Sequence, residues 1–172
     1  MEKGYVQVYT GEGKGKTTAA LGLSIRAAGA GLKVYIAQFL KQGAYSELKA
    51  LERFSDSITI KQFGTGKFVR GEPDAADMAA GKKGLAAVRE AFASGAYDLV
   101  VMEEAGVAEK FGVISTDEML DIIREKPDAV ELVITGRGVS EPVRAAADLV
   151  TEMREIRHYY KNGVMARKGI ES

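Results

Sequence analysis

Apolar residues recur along this chain in two alternating rhythms. Short, nearly unbroken apolar runs at residues 5–9, 33–40, 58–60, 97–102, 130–135 and 149–153 read as strands. Between them the spacing turns helical. One helix covers residues 19–28 and is stopped by Gly29-Ala30-Gly31, and a short one covers residues 46–54. In a third, Met78, Leu85, Val88 and Phe92 share a face opposite Lys82, Lys83, Arg89 and Glu90. A fourth opens on the capping pair Ser115 and Glu118, runs through Ile123 and stops before Pro127; a fifth covers residues 140–147 with Pro142 in its first turn. Residues 63–73 fit neither rhythm and read as a long irregular loop, of the kind that is usually functional or disordered in a compact domain.

Strands alternating with helices predict an α/β fold, a single domain over residues 1–172 with a mostly parallel, doubly wound sheet of about six strands. The unbroken apolar run at 97–102 fits a strand covered on both faces. Residues 5–39 make one strand-helix-strand unit, which predicts a right-handed parallel crossover. Asn162-Gly163, between Tyr159-Tyr160-Lys161 and Val164-Met165-Ala166, predicts a C-terminal β-hairpin.

Composition narrows the chemistry. Lys and Arg total 24 against 24 for Asp and Glu, so no global field draws the chain to nucleic acid or anionic membrane. With no cysteine, thiol nucleophiles, thiolate metal sites and iron–sulfur clusters are excluded. A single histidine, His158, argues against a Ser-His-Asp triad or a His-rich metal centre. The start carries no signal-like apolar core and no apolar run approaches a membrane span, so the expectation is a soluble, cytoplasmic protein without nucleic-acid or membrane partners.

The most informative stretch is Thr10-Gly11-Glu12-Gly13-Lys14-Gly15-Lys16-Thr17-Thr18, set where the first strand turns into the first helix. That is the context of a phosphate-binding loop. Glycines let backbone N–H groups point inward, the helix adds the positive end of its dipole, Lys16 offers an ammonium, and the Thr17 hydroxyl is placed to ligate magnesium. The usual leading glycine is Thr10 here. A phosphate-loop NTPase (RecA-like) fold follows as the expectation.

In such sheets ligands bind beyond the carboxyl ends of the strands. Glu103-Glu104 ends one strand, where an acidic pair can bind magnesium directly or through water. Gly136-Arg137-Gly138 ends another and offers a guanidinium to phosphate oxygens. Gln38 and Lys41 end the second strand, with Lys41 a candidate for phosphate and Gln38 for ribose or base.

Taken in order, these motifs, with the Gly66-Lys67-Phe68 loop and the tail Thr151-Glu152-Met153-Arg154-Glu155-Ile156 through Gly163-Val164-x-Ala166-Arg167-Lys168-Gly169-Ile170-Glu171, resemble the phosphate-loop ATP:corrinoid adenosyltransferases across essentially the whole chain. The resemblance implies transfer of the 5′-deoxyadenosyl group of ATP to the cobalt of a corrinoid, with release of tripolyphosphate. It implies ATP bound in reversed sense, C5′ facing cobalt, with Lys14, Lys16, Arg137 and magnesium stabilising the leaving triphosphate. It also implies apolar side chains on the lower axial face of cobalt(II), for which Phe68, with Val69 beside it, is the candidate. A homodimer and a flavoprotein reductant belong to the same implication. Two departures stand out: Glu103 occupies a place where the family more often has aspartate, and the sequence starts almost at the first strand, ahead of which relatives often carry a segment that closes over a partner subunit's site. An ATPase or kinase on the same fold, or a nucleotide-dependent switch without chemistry, would use the same loop.

Overall fold

The computed structural model describes residues 2–67, 69 and 71–171. In chain order its elements are β1 (Val6–Thr10), α1 (Lys16–Gly29), β2 (Val34–Phe39), α2 (Ser46–Leu51), β3 (Ile58–Phe63), α3 (Ala75–Ser94), β4 (Leu99–Glu103), α4 (Ala105–Lys110), α5 (Thr116–Glu125), β5 (Glu131–Thr135), α6 (Glu141–Ala145) and β6 (Leu149–Glu152). All pairings are parallel, and the sheet runs β3-β2-β4-β5-β1-β6. The α/β class and the six parallel strands agree with the apolar rhythm.

Every residue of β2 and β4 is buried, because helices cover both faces of the sheet. On one face Val8, Phe39, Met102 and Ile134 pack with Leu85, Val88 and Phe92 of α3 and Met119 and Ile122 of α5. On the other, Ile36, Val101 and Val133 pack with Ala20 and Ala27 of α1 and Leu51 of α2. Capping boxes start the two longer helices of the first face, Asp74 with Asp77 for α3 and Ser115 with Glu118 for α5.

The C-terminal hairpin is not formed. A type I′ turn needs positive φ at both central residues, but at Asn162-Gly163 only Gly163 adopts it, at 83°. Gly163 instead ends a 3-10 turn over Tyr159–Asn162, its N–H donating to the Tyr160 carbonyl at 2.9 Å. Two further differences are local. β3 continues past Ile60 through Lys61-Gln62-Phe63, as an edge strand half open to solvent permits. The six-residue α4, too short to show a helical period, fills the space directly after β4.

Register brings the functional edge level. Thr10 pairs with Glu152, Tyr9 with Thr135, and Gln38 with both Gln62 and Glu103, so the ends of all six strands face one crevice. The exits of β1 and β4, two strands apart in the sheet, carry the loop of residues 10–18 and the Glu103-Glu104 pair.

Candidate active site

Backbone strain marks this edge. Outside glycine, positive φ occurs among the described residues at Leu40 and Glu104, both at 59°, each the first residue past its strand. Non-glycine residues held in that region cost on the order of 1 kcal/mol or more and cluster at functional sites. The bend at Leu40 turns β2 so that Lys41 points back at β4. The bend at Glu104 starts α4, and the Glu104 N–H donates to the buried Thr135 hydroxyl at 3.0 Å.

The loop after β1 closes around its own lysine. Lys16, nearly buried at 5% exposure, donates to the carbonyls of Gly11 at 2.6 Å and Gly13 at 2.7 Å. Burial lowers its pKa, and the Arg137 charge lowers it further. A Cβ on Gly13 would lie 2.7 Å from the Met153 carbonyl oxygen, because the chain after β6 runs against the loop. Gly13 N–H donates to that oxygen at 2.7 Å, and Met153 N–H donates to the Thr10 carbonyl at 2.8 Å. The loop is thus braced from outside by backbone bonds to the tail.

Thr17, in the first turn of α1, donates to Glu103 Oε1 at 2.6 Å. Glu103 is fully buried, and Lys41 Nζ lies 3.2 Å from each of its oxygens and 3.7 Å from Glu47 Oε1. Lys41 is aligned to hydrogen-bond with Oε1, which leaves Oε2 without an aligned donor. Burial raises the Glu103 pKa; the Lys41 charge opposes this and the Glu104 charge reinforces it. A buried carboxylate oxygen with no aligned donor among the described residues, beside the Thr17 hydroxyl, is of a type that magnesium takes, one or two protein oxygens with water and phosphate completing its shell. Among the described residues no three acidic or histidine groups form an all-protein cage, and magnesium does not need one.

The remaining expected residues are distributed around this centre. Glu12 and Arg137 are exposed on the rim, Arg137 Nε 3.9 Å from Glu12 Oε2. The turn carrying Arg137 is pressed onto α4, where a Cβ on Gly106 would lie 2.4 Å from Val139 Cγ2 and 3.2 Å from Gly136 Cα. Lys14 points away from the loop to the Ile170 carbonyl, and Thr18 is exposed. Gln38 is fully buried; it accepts from Gln62 Nε2 at 3.1 Å and lies at the 3.5 Å limit from Glu47 Oε1. Phe68 lies outside the described residues. Val69 is half-buried and packs against the core of the first face, pointing inward.

Glu47, Thr135 and Met153 enter the site without having been singled out. Thr135 directly precedes the quoted Gly136-Arg137-Gly138, and Met153 stood in the quoted tail. Only contacts across 31 or more residues give them their roles. Glu47 carried no signal beyond being an acid in the first turn of a short helix. Two spaces open along this edge, one beside the loop after β1 and one beside the exit of β2. One, of about 500 Å³, lies between the loop and β6, bordered by Glu12, Arg144, Val150 and Glu152. The other, about 40 Å³ between Leu40, Tyr45, Gly66 and Lys67, holds little more than one water.

Fold and loop together place the chain in the phosphate-loop α/β class. The family model described as ATP:corrinoid adenosyltransferase BtuR/CobO/CobP matches residues 2–172, and the chain belongs to that family. It is 34% identical over 171 residues to the corrinoid adenosyltransferase of Pseudomonas aeruginosa, covering 99% of this chain and 84% of that one. It is 32% identical to the corrinoid adenosyltransferase of Escherichia coli K12 and 33% identical to corrinoid adenosyltransferase CobA of Salmonella typhimurium, each time over 99% of this chain and 86% of the relative.

Proposed function

We propose that this chain binds ATP and magnesium through residues 10–18 and transfers the 5′-deoxyadenosyl group to the cobalt(I) of a corrinoid, in adenosylcobalamin synthesis or salvage. The observation that carries the site assignment is the Thr17 hydroxyl set 2.6 Å from buried Glu103, whose second oxygen lacks an aligned donor, at the mouth of a loop folded around Lys16. In a member of this family, that is a seat for a metal-bound triphosphate.

Cobalt(I) brings both electrons of the new cobalt–carbon bond. The C5′–O bond breaks and its electron pair leaves with the tripolyphosphate. The chain therefore needs no nucleophile of its own, which suits a sequence without cysteine. Its work is to hold C5′ in line and to stabilise charge on the leaving oxygens. Lys16 does this from inside the loop once phosphate oxygens replace the Gly11 and Gly13 carbonyls. Arg137 reaches from the rim, and Lys14 joins once it turns inward. Thr17 and Glu103, with Glu104 directly or through water, would hold magnesium, which supplies further positive charge to the triphosphate. Lys41 would then give up Glu103 for phosphate, and Gln38 would meet ribose or base when Glu47 and Gln62 release it.

The 40 Å³ cleft is too small for a corrin ring. Beside it, among the described residues, Thr65 donates to Asp77 at 2.8 Å. Phe68 is the candidate for the axial face of cobalt(II), easing reduction by a flavoprotein-class donor. The reading carries with it a homodimer working in the cytoplasm. The test is incubation of the purified protein with ATP, magnesium and chemically reduced cobalamin. Formation of the light-sensitive cobalt–carbon product supports the proposal, and ATP consumed to orthophosphate with no such product overturns it.

A further inference from the structure

Lys14 sits in the phosphate loop but spends its ammonium elsewhere. Its Nζ donates to the Ile170 carbonyl at 2.6 Å and lies 3.4 Å from Glu171 Oε1. Glu171 is itself firmly held. It accepts from the Tyr159 hydroxyl, from Arg167 N–H at 2.8 Å and from Arg167 Nη2 at 3.2 Å. The Arg167 guanidinium lies 5.0 Å from the Tyr159 ring centroid, and the Ile170 and Glu171 N–H groups donate to the Arg167 carbonyl at 3.1 and 3.0 Å. Residues 159–171 thus fold into a hook whose outward-facing oxygens are both directed at Lys14. The donors around Glu171, Arg167 first, hold its carboxyl down to about 2, so the hook is charged across the neutral range.

A triphosphate in the loop offers Lys14 several charged oxygens in place of one carbonyl and a shared carboxylate. The ammonium cannot be aimed at both. We propose that the hook is a latch competing with the triphosphate for Lys14, with Glu171 as a positioning residue: without nucleotide Lys14 fastens the tail to the loop, and on nucleotide binding it turns inward and frees the hook. This rests on the reading of residues 10–18 as the triphosphate site. By linkage, whatever factor nucleotide loosens the tail, the tail weakens nucleotide binding by the same factor.

The test uses the full chain with ATP and magnesium, corrinoid omitted so that no turnover occurs, with dissociation constants from calorimetry. Glu171→Gln, and independently Tyr159→Phe, should tighten ATP binding about threefold, the scale of an exposed ion pair. In a Lys14→Met background the same substitutions should change nothing. Unchanged affinity where Lys14 is retained overturns the latch, as does equal tightening with Lys14→Met, which would mark a general repulsion between Glu171 and phosphate. ATP should also speed hydrogen exchange at the Arg167, Ile170 and Glu171 amides, and slower or unchanged exchange overturns the latch while leaving the triphosphate site standing. Failure of the parent chain to bind ATP at all overturns both.

Discussion

Glu103→Gln separates a metal carboxylate from a structural ion pair. Removing one partner of a buried pair usually costs about 3–5 kcal/mol because the other charge is left stranded. Lys41 would not be stranded. It is 18% exposed, lies 3.7 Å from Glu47, and sits 5.1 Å from the Tyr45 ring centroid. Glutamine keeps the acceptor that Thr17 uses and removes a charge that burial opposes. The net loss in the ligand-free protein should therefore be no more than about 1 kcal/mol, or about 2–4 °C in Tm for a chain of this size. The proposed metal-bound state would behave differently, since an amide oxygen is a poor substitute for a carboxylate on magnesium. A tenfold weaker hold on magnesium-ATP corresponds to about 1.4 kcal/mol. Ligand at 100 times its Kd stabilises by about 2.7 kcal/mol, so roughly half of the ligand-induced stabilisation should vanish. Differential scanning calorimetry with and without saturating magnesium-ATP measures both quantities. A drop of 10 °C in the free protein, or a ligand-induced shift equal to the parent's, refutes the assignment.

Other substitutions probe the frame. The Tyr35 hydroxyl is buried without a hydrogen-bond partner among the described residues, and burial, with Tyr97 adding to it, pushes its pKa up to about 12. The folded chain therefore resists ionising it, and this contribution to stability is full below pH 10 and lost as pH rises from 10 through 12. Tyr35→Phe should stabilise by about 1 kcal/mol at pH 7 and flatten that alkaline loss, both measurable by denaturant unfolding at pH 7 and 11. Gly106→Ala should destabilise by about 1–3 kcal/mol by calorimetry, because the added methyl meets Val139 and the Gly136 backbone; a gain would show that the turn carrying Arg137 yields freely. Phe68→Ala should slow adenosylation from cobalt(II) more than from pre-reduced cobalt(I), and equal losses on the two substrates would count against an axial-face role.

Much of this architecture could be read from residues near one another in sequence. The apolar runs of β2 and β4 announced strands covered on both sides, and the capping pair Ser115 and Glu118 placed α5. The loop was legible because its glycines, Lys16 and Thr17 are contiguous between a strand and a helix. What could not be read depends on partners far along the chain. Lys41 meets Glu103 across 62 residues and Lys14 meets Ile170 across 156, distances at which no periodicity carries a signal. Asn-Gly pointed to a hairpin by local rule, but the residues after it are drawn into the Glu171 hook and supply no partner strand. Val69 was grouped with Phe68 by adjacency, whereas packing takes its side chain into the core.

The central claim is that the bound triphosphate leaves from C5′ and does not lose its terminal phosphorus to an acceptor. Phosphorus NMR of a single-turnover mixture of protein, magnesium-ATP and cobalt(I) corrinoid reads this directly. The account predicts one tripolyphosphate for each cobalt–carbon bond formed. Orthophosphate with ADP as the initial products, appearing whether or not corrinoid is present, would contradict it.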